Sequence, residues 1–353
     1  MIESIQAAFL GALDAEHPTK QVKHWIRGGH LDDFLGDRER PATIHAFAAG
    51  KAAATMAWGL AETNVPLKGH AVVPHGTPTP AIPGLKWHHG AHPLPDEGSF
   101  AAGETWWKAA ESIPENAPVL LLVGGGASSL VEWPPQSVPL GWEDIAALNE
   151  KRREHSVLKG GGFVRKLRER TSRIRGLILP DVPPGQEERV VGSGLAEGAD
   201  CHVLRGNADF LREFCGLLEA FGMQTSLFQE RLTGPLHEQL ESFLAAGEPG
   251  KLLVGGGECT LPAPADVPGG RCQHAALLAG SLGAELFAAL GTDGIDGTTR
   301  NAGAWSRADP SPEARDALAQ WRATPYLETR GQTIRLGQTG TNVNDVWVLW
   351  TAK

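Results

Sequence analysis

Short apolar runs without polar alternation recur along the 353-residue chain, and most are followed closely by glycine. They lie at residues 43–48, 119–123, 177–179, 251–254 and 286–290. Such runs are typical of strands buried on both faces, as in a parallel sheet covered by helices. Between them lie helical segments such as the alanine-rich residues 51–63. The pattern predicts an α/β fold.

The two ends of the chain differ from this pattern. Ile5, Phe9 and Leu13 recur at helical spacing, and Pro18 divides residues 2–26 into two predicted helices. Near the other end, residues 334–336 and 346–350 predict two strands joined by a loop, as in a hairpin.

Length and composition indicate two domains. At 353 residues the chain is longer than most single domains, and glycine and proline concentrate at residues 180–198 and 247–270. The division is therefore expected between residues 195 and 250, and we place the two domains at 1–225 and 226–353.

Charge and cysteine usage exclude several classes of protein. The net charge is −9 and there is no long basic block, so nucleic acid is not an expected partner. The four cysteines form no CxxC pair, which argues against a disulfide framework or a zinc ribbon. Neither a signal peptide nor a membrane span is recognisable. A cytoplasmic protein without membrane contact is expected.

Four glycine-rich segments follow apolar runs, at residues 50–51, 124–129, 255–260 and 291–299. Glycine at the carboxyl end of a strand exposes backbone N–H groups to an anion, which predicts a phosphate or carboxylate site. The alternative is that each glycine only permits a tight turn. The pattern GxxxxGK[ST] does not occur, and residues 192–198 give only an incomplete GxGxxG. A P-loop kinase or a dinucleotide dehydrogenase is therefore disfavoured.

Two isolated cations follow glycines. Lys51 and Arg271 are each placed to pair with an anionic substrate and to stabilise charge in phosphoryl transfer, although a surface salt bridge is the alternative for each. The histidines at 88, 89 and 92 lack the spacing of a zinc site, so we expect them to orient a loop or to contact an anion.

Polar side chains cluster in three further segments. Asp293 and Asp296 offer oxygen ligands suited to Mg²⁺ held together with phosphates, or they cap a helix and fix a turn. Residues 340–345 form either a ligand-ordering loop or a plain Asx-rich turn. The third segment contains Arg152, Ser156 and Lys159, whose spacing places them on one face of a predicted helix. The alternative is that this face is only charged and solvated.

The ordered set of motifs resembles a known family. The motifs are GKAAATM from Gly50, GAHPLPDEGSFAAG from Gly90, VGGGASSL from Val123, LPDV from Leu179, GGGECT from Gly255, GGRCQ from Gly269, GTDGIDGTTRNAGAW from Gly291 and TGTNVND from Thr339. Over nearly the whole chain this set resembles the type II glycerate 2-kinases, the MOFRL-domain family.

The resemblance implies two α/β domains, a Rossmann-like domain with a mostly parallel sheet and a smaller MOFRL domain, with the active site in the cleft between them. It also implies transfer of the γ-phosphoryl group of ATP to the 2-hydroxyl of D-glycerate with Mg²⁺, in a possible homodimer. Hydroxypyruvate reduction, or ligand binding without catalysis, remains the alternative.

Site residues carried over from the family fall into four groups. Catalysis is implied for Lys51, Arg271 and Asp181. Substrate binding is implied for Gly124, Gly125, Gly126, Ser128, Arg152, Ser156 and Lys159. Nucleotide binding is implied for Gly256, Gly257, Glu258, Thr292, Gly340, Thr341, Asn342 and Asn344. Metal binding is implied for Asp293, Asp296 and Asp345.

The chain departs from the family at three motifs, and it is also shorter than is usual for the family. Pro180 stands where the family has the serine of its SDV motif. Val123 and Ala127 stand where the family usually has serines around the triple glycine. Cys272 and His274 replace an amide and a carboxylate after the arginine.

Overall fold

The computed structural model describes residues 1–36, 43–63, 65–134, 156–182, 185, 187–264 and 267–352. It divides into two units. The first, here called the Lys51 unit, comprises His17–Gly206 with Gly340–Asn342. The second, the Arg271 unit, comprises Met1–Glu16, Asn207–Thr339 and Val343–Lys353. The chain passes from the Lys51 unit to the Arg271 unit between Gly206 and Asn207.

The helices of the described residues are α1 (Ile2–Ala15), α2 (Pro18–Arg27), α3 (His30–Leu35), α4 (Ala53–Ala61), α5 (Glu97–Glu111), α6 (Ala127–Leu130), α7 (Gly162–Arg168), α8 (Glu187–Val190), α9 (Asn207–Ala220), α10 (Leu236–Ala245), α11 (Arg271–Ser281), α12 (Pro312–Ala319) and α13 (Ala323–Glu328). The first two confirm the division of residues 2–26 at Pro18, which occupies the first turn of α2. None of these helices is long and apolar enough to cross a membrane.

The strands are β1 (Ile44–Ala49), β2 (Leu67–Pro74), β3 (Leu85–Gly90), β4 (Val119–Val123), β5 (Ile174–Ile178), β6 (Asp200–Val203), β7 (Thr225–Leu227), β8 (Leu232–Pro235), β9 (Leu252–Thr260), β10 (Leu286–Gly291), β11 (Gly303–Ser306), β12 (Thr333–Ile334) and β13 (Asp345–Trp350).

The Lys51 unit is built on a parallel sheet of six strands in the order β3-β2-β1-β4-β5-β6. This is the strand order of doubly wound nucleotide-binding folds. Strands β1 and β4 are buried along their whole length, which confirms the strands predicted at residues 43–48 and 119–123. Phe47 on β1 packs edge-on against Trp106 and Phe163, with ring centroids 5.2 and 5.0 Å away.

The Arg271 unit holds a mixed sheet in the order β12-β11-β10-β13-β9-β7, with β8 beside β9. Only β7 and β8 run parallel to their neighbour, and the remaining pairs are antiparallel. The hairpin predicted from residues 334–336 and 346–350 is wrong, because β12 pairs with β11 while β13 lies between β10 and β9. Both stretches are strands of one sheet, but two other strands separate them.

Aromatic side chains form the core of the Arg271 unit. Trp347 on β13 lies 5.6 Å from both Phe243 and Phe287, measured between ring centroids. On the other side of the unit, Phe9 of α1 packs against Phe210 and Phe214 of α9, at 5.4 and 5.9 Å. The apolar face predicted for the first helix is therefore buried against residues about 200 positions later in the chain.

Candidate functional site

Two turns meet at the carboxyl ends of β1 and β4. The backbone N–H of Lys51 donates to the carbonyl of Gly125 at 2.9 Å, and that of Gly124 donates to Ala49 at 3.0 Å. Gly50 has a φ of 125°, and a Cβ there would lie 2.7 Å from the Gly124 carbonyl oxygen. Because β1 and β4 flank the point where the strand order reverses, the turns lie where open α/β sheets bind ligands.

Polar side chains surround the triple glycine. A Cβ on Gly125 would contact the carboxylate of Asp181 and the amide of Asn342, and one on Gly126 would lie 3.4 Å from both His92 Nδ1 and Lys51 Cγ. The structure therefore brings together three predicted site residues: Lys51, Asp181 and Asn342. The side chains of Lys51 and Asp181 are half-buried. His92, which the sequence predicted to orient a loop or to contact an anion, also lies here; it is exposed, and its Nδ1 is 2.9 Å from Ser129 Oγ.

The departures from the family motif at the triple glycine face away from this turn. Val123 and Ala127 are at most 1% exposed and belong to the apolar core. Hydroxyl groups near the turn come instead from Ser129 and from Ser128, whose Oγ lies 2.6 Å from Ser193 Oγ. The loss of the family's serines thus alters the core behind the turn.

The sequence predicted Arg152, Ser156 and Lys159 on one helix face. For Ser156 and Lys159, which the structure describes, this prediction is wrong. Residues 157–161 form turns, and α7 begins only at Gly162. Ser156 Oγ accepts the N–H of Trp133 at 3.2 Å, so it holds the backbone internally. Arg152 lies outside the described residues.

Lys159 is fully buried beneath α6. Its Nζ donates to the carbonyls of Ser128 and Val131 at 2.5 and 2.8 Å and lies 3.3 Å from Glu132 Oε1, whose side chain is also fully buried. Glu132 Oε2 has no hydrogen-bond partner among the described residues. The lysine therefore fixes the segment after the triple glycine from within.

In the Arg271 unit, the arginine lies between two carboxylates. Its Nε and Nη2 donate to Asp345 at 2.5 and 3.1 Å, and Nη1 lies 2.9 Å from Glu258 Oε1. Burial alone would lower the pKa of Arg271, but the two carboxylates outweigh it and raise that pKa. Burial raises the pKa of Asp345, which the guanidinium opposes. Arg271 stays charged, and its side chain remains one-third exposed.

The same carboxylates connect to the loop before β13. Asn344, in the left-handed region with a φ of 68°, donates from Nδ2 to Glu258 Oε2 at 2.7 Å and accepts from Arg231 Nη2 at 2.6 Å. Arg231 was not predicted, and no local motif marks it. Predicted nucleotide residues Glu258 and Asn344 and predicted metal residue Asp345 thus form one network around Arg271.

Thr292 and the loop at residues 339–345 are fastened together. The Thr292 hydroxyl donates to the carbonyl of Asn344 at 2.7 Å and accepts the N–H of Val343 at 2.9 Å. Within the Lys51 unit, Thr55 Oγ1 donates to the Gly340 carbonyl at 2.5 Å. Thr341 is buried next to it. Thr292 is therefore a structural support of the loop.

Asp296 caps α11. Its carboxylate accepts the N–H groups of Cys272 and Gln273 at 3.1 and 2.8 Å and the Gln273 amide at 2.9 Å. Burial raises its pKa to about 6 against these hydrogen bonds. The capping alternative is the one that the structure shows, and Asp296 does not have the open coordination of a metal ligand. Because it occupies the first N–H groups of α11, an external anion has no access to them.

Asp293 is the half-buried carboxylate left in that loop, with Oδ1 accepting the N–H of Ile295 at 3.1 Å. Among the described residues, no three His, Cys, Asp or Glu side chains converge on a possible metal position.

The segment at residues 255–260, predicted as a glycine turn after a strand, is itself strand and continues β9 to Thr260. A Cβ on Gly256 would contact the Asn207 side chain, and one on Gly257 would contact the Leu232 carbonyl. These glycines permit close packing inside the sheet, and the predicted turn after residue 254 is wrong because the strand continues.

The two replaced positions after Arg271 also lie in the interior. Cys272 is 1% exposed and His274 is 6% exposed, and the His274 ring lies 5.2 Å from that of Trp321. Burial raises the pKa of the Cys272 thiol and lowers the pKa of His274 to about 4. Neither replacement changes the surface around Arg271.

Comparison with known proteins identifies two family regions. Residues 4–201, more than half of the chain, match the family described as a domain of unknown function, DUF4147, and residues 251–345 match the MOFRL family. A glycerate kinase from Mus musculus is 39% identical, with 72% of this chain and 71% of that protein covered. A D-glycerate 2-kinase from Thermotoga maritima is 25% identical, with 95% and 94% covered.

A putative hydroxypyruvate reductase from Agrobacterium vitis is 28% identical, with 88% of each chain covered. Among solved structures, a glycerate kinase from Thermotoga maritima superimposes with a TM-score of 0.80 at 23% identity and covers 98% of each chain. This match confirms the fold. Together with the match over residues 4–201 and the mouse relative, these findings show that the chain belongs to the DUF4147 and MOFRL family of glycerate 2-kinases.

Proposed function

We propose that the protein transfers the γ-phosphoryl group of ATP to the 2-hydroxyl of D-glycerate. The glycerate oxygen forms a bond to the γ-phosphorus, the bond from that phosphorus to the β,γ-bridging oxygen breaks, and the hydroxyl proton leaves. The products are 2-phosphoglycerate and ADP. Family membership supports this reaction, as does the similarity to the glycerate kinase from mouse and the D-glycerate 2-kinase from Thermotoga.

The observation that carries the proposal is the turn pair at β1 and β4. Lys51 lies beside Gly126, and Asp181 lies beside Gly125, so a cation and a carboxylate flank the glycine backbone at the sheet edge where open α/β folds bind ligands. We assign glycerate to this turn, with Asp181 as the acceptor of the hydroxyl proton and Lys51 as a charge-stabilising group. Phosphoryl transfer depends on such positioning and charge neutralisation more than on covalent catalysis.

Arg271 is the group that we assign to the phosphates. Its guanidinium stays charged, is held rigidly by Asp345, and keeps one-third of its surface exposed. A fixed arginine of this kind stabilises the negative charge that develops on the transferred group.

Mg²⁺ fits this assignment. Proteins commonly hold Mg²⁺ with one or two carboxylates together with substrate phosphates, so a cluster of three protein ligands is not needed. Asp293 would hold the ion, which would supply charge neutralisation at the phosphates. Asp296 is excluded because it caps α11.

The test is an assay of ADP release with D-glycerate and Mg-ATP, with the product identified by NMR as the 2-phosphate. ADP release that requires D-glycerate supports the proposal. NADH-dependent reduction of hydroxypyruvate without ADP release would favour the activity named for the Agrobacterium relative. Glycerate binding without either reaction would favour a binding protein. The cytoplasmic location and the homodimer stay predictions. Light scattering, which measures the molar mass in solution, tests the homodimer.

A further inference from the structure

A cavity of about 820 Å³ lies within the Arg271 unit. It is bounded by the end of β9, by residues 261–264 and 267 after it, and by the start of α11. The described residues that line it are of two kinds. Charged and polar groups include Glu258, Thr260 and Arg271, and apolar groups include Leu261, Pro262 and Val267. None of the sequence motifs described above includes residues 261–267.

One edge of β9 is open beside this cavity. Strand β13 pairs with β9 only as far as Gly257, opposite Asp345. Strand β8 covers residues 257–260 on the other side. Within the described sheet, Glu258, Cys259 and Thr260 therefore have a neighbouring strand on one side only. Such an edge presents backbone N–H and C=O groups to whatever lies beside it.

Side chains alternate along this open segment. Glu258 and Thr260 are exposed, whereas Cys259 between them is 3% exposed and belongs to the apolar core. Successive side chains of a strand point to opposite faces, so Glu258 and Thr260 share one face. The hydrogen-bonding groups of Glu258 and Thr260 and the apolar side chains of Leu261, Pro262 and Val267 thus line the same cavity.

Among the described residues that line the cavity, the acidic and basic side chains are Arg271, Glu258 and Asp296. Asp296 also borders it, but its carboxylate is bonded to the first N–H groups of α11, so that helix cannot serve as the anion site. A ligand suited to this lining has an anionic end for the guanidinium and a flat apolar body with a hydrogen-bonding edge. Pockets that combine apolar walls with a few placed polar groups are typical of small-ligand sites of 300–1,000 Å³.

We infer that this cavity binds the base and ribose of the nucleotide. The base lies against Leu261, Pro262 and Val267, its polar edge meets the open edge of β9, and the phosphates extend toward Arg271. Glu258 is placed to accept hydrogen bonds from ribose hydroxyls. The inference rests on the proposed function, because it is the kinase reaction that requires a nucleotide.

The test fills the cavity without touching Arg271. Ala263 is exposed and lines the cavity, so Ala263→Trp places a large side chain where the base is assigned. The matched control is Ala245→Trp, an exposed position at the end of α10 that does not line the cavity. Calorimetry measures binding of two probes, ADP and inorganic pyrophosphate, to the wild type and to both variants.

Ala263→Trp is expected to weaken ADP binding at least tenfold while pyrophosphate binding stays within twofold of the wild type. Ala245→Trp is expected to change neither. Unchanged ADP binding in Ala263→Trp overturns the inference. An equal loss of ADP and pyrophosphate binding also overturns it, since the phosphates would then bind where the base is assigned. A selective loss of ADP binding in a protein that does not phosphorylate glycerate would retain the nucleotide site and reject the proposed reaction.

Discussion

Arg271 and Asp345 form a bidentate ion pair, with Nε 2.5 Å from Oδ2 and Nη2 3.1 Å from Oδ1. The carboxylate is 6% exposed, whereas the guanidinium is one-third exposed. The pair thus has a buried anchor and an accessible cation. Removing Arg271 would leave a buried carboxylate without its main partner, so Asp345 is the better position at which to test how the arginine is held.

We expect Asp345→Asn to lower the free energy of unfolding by about 2–3 kcal/mol, less than for a fully buried pair because Arg271 contacts solvent. Urea denaturation measures the change. Glu328→Gln, which breaks the exposed pair with Arg335 at 3.1 Å, is the control and should cost about 1 kcal/mol or less. Equal effects of the two substitutions would show that the Asp345 pair is no stronger than a surface pair.

Lys51→Ala is expected to lower kcat about 10²–10³-fold, because it removes one charge-stabilising group from the glycine turn. Stability should change little, since the side chain is only half-buried. Steady-state kinetics and thermal unfolding separate the two effects. Lys108→Ala, at an exposed lysine paired with Glu104, is the matched control. A Lys51→Ala enzyme with kcat near that of the wild type would remove the lysine from the mechanism.

Gly125→Ala is expected to reduce kcat/KM about 10²-fold, since the new methyl group displaces Asp181 and Asn342 from the turn. The control is Gly216→Ala in α9, where a Cβ meets no atom within 4 Å. That change should stabilise the protein by about 0.5–1 kcal/mol, because alanine favours a helix interior. Normal kinetics in Gly125→Ala would place substrate elsewhere.

Lys159→Met is expected to cost about 3–5 kcal/mol of stability, because it leaves the Glu132 carboxylate buried and unpaired. The double variant Lys159→Met with Glu132→Gln should recover most of that loss, since no buried charge remains. Urea denaturation of both single variants and the double variant gives the coupling energy. Additive effects would contradict a direct interaction between the two side chains.

Asp296 makes stability depend on pH in a direction opposite to that of an ordinary carboxylate. Its pKa is raised to about 6 in the folded protein, from about 3.8. Between these values the folded state binds more protons than the unfolded state, so this residue's contribution to stability falls as pH rises from about 4 to about 6. The stability of Asp296→Asn relative to the wild type should therefore increase over that interval. A constant difference between the two proteins would contradict the raised pKa.

The sequence predicted the Lys51 unit well for a physical reason. Strands such as 119–123 are buried on both faces and therefore lack polar alternation, and the glycines that follow them serve turns that local geometry requires. Lys51 follows the glycine at the end of such a strand, which the pattern itself indicates, whereas Asp181 was expected only from the resemblance to the family.

The Arg271 unit was harder to predict because its sheet is mixed. Its strands are equally apolar, yet most of them pair antiparallel. In β9, the apolar run followed by glycines does not reveal that the strand continues through those glycines. Residues such as Arg231 and Asn207 depend on contacts more than 100 positions away along the chain. No local motif indicates such contacts.

The packing of α1 on α9 has a consequence for how the protein folds during synthesis. Phe9 leaves the ribosome about 200 residues before Phe210 and Phe214, which corresponds to roughly 10–40 s at ~5–20 residues per second. During that interval the apolar face of α1 has no native partner. A chaperone that shields this helix would therefore act before the second half of the chain exists, and a fragment that begins at Asn207 would expose the aromatic surface that α1 covers.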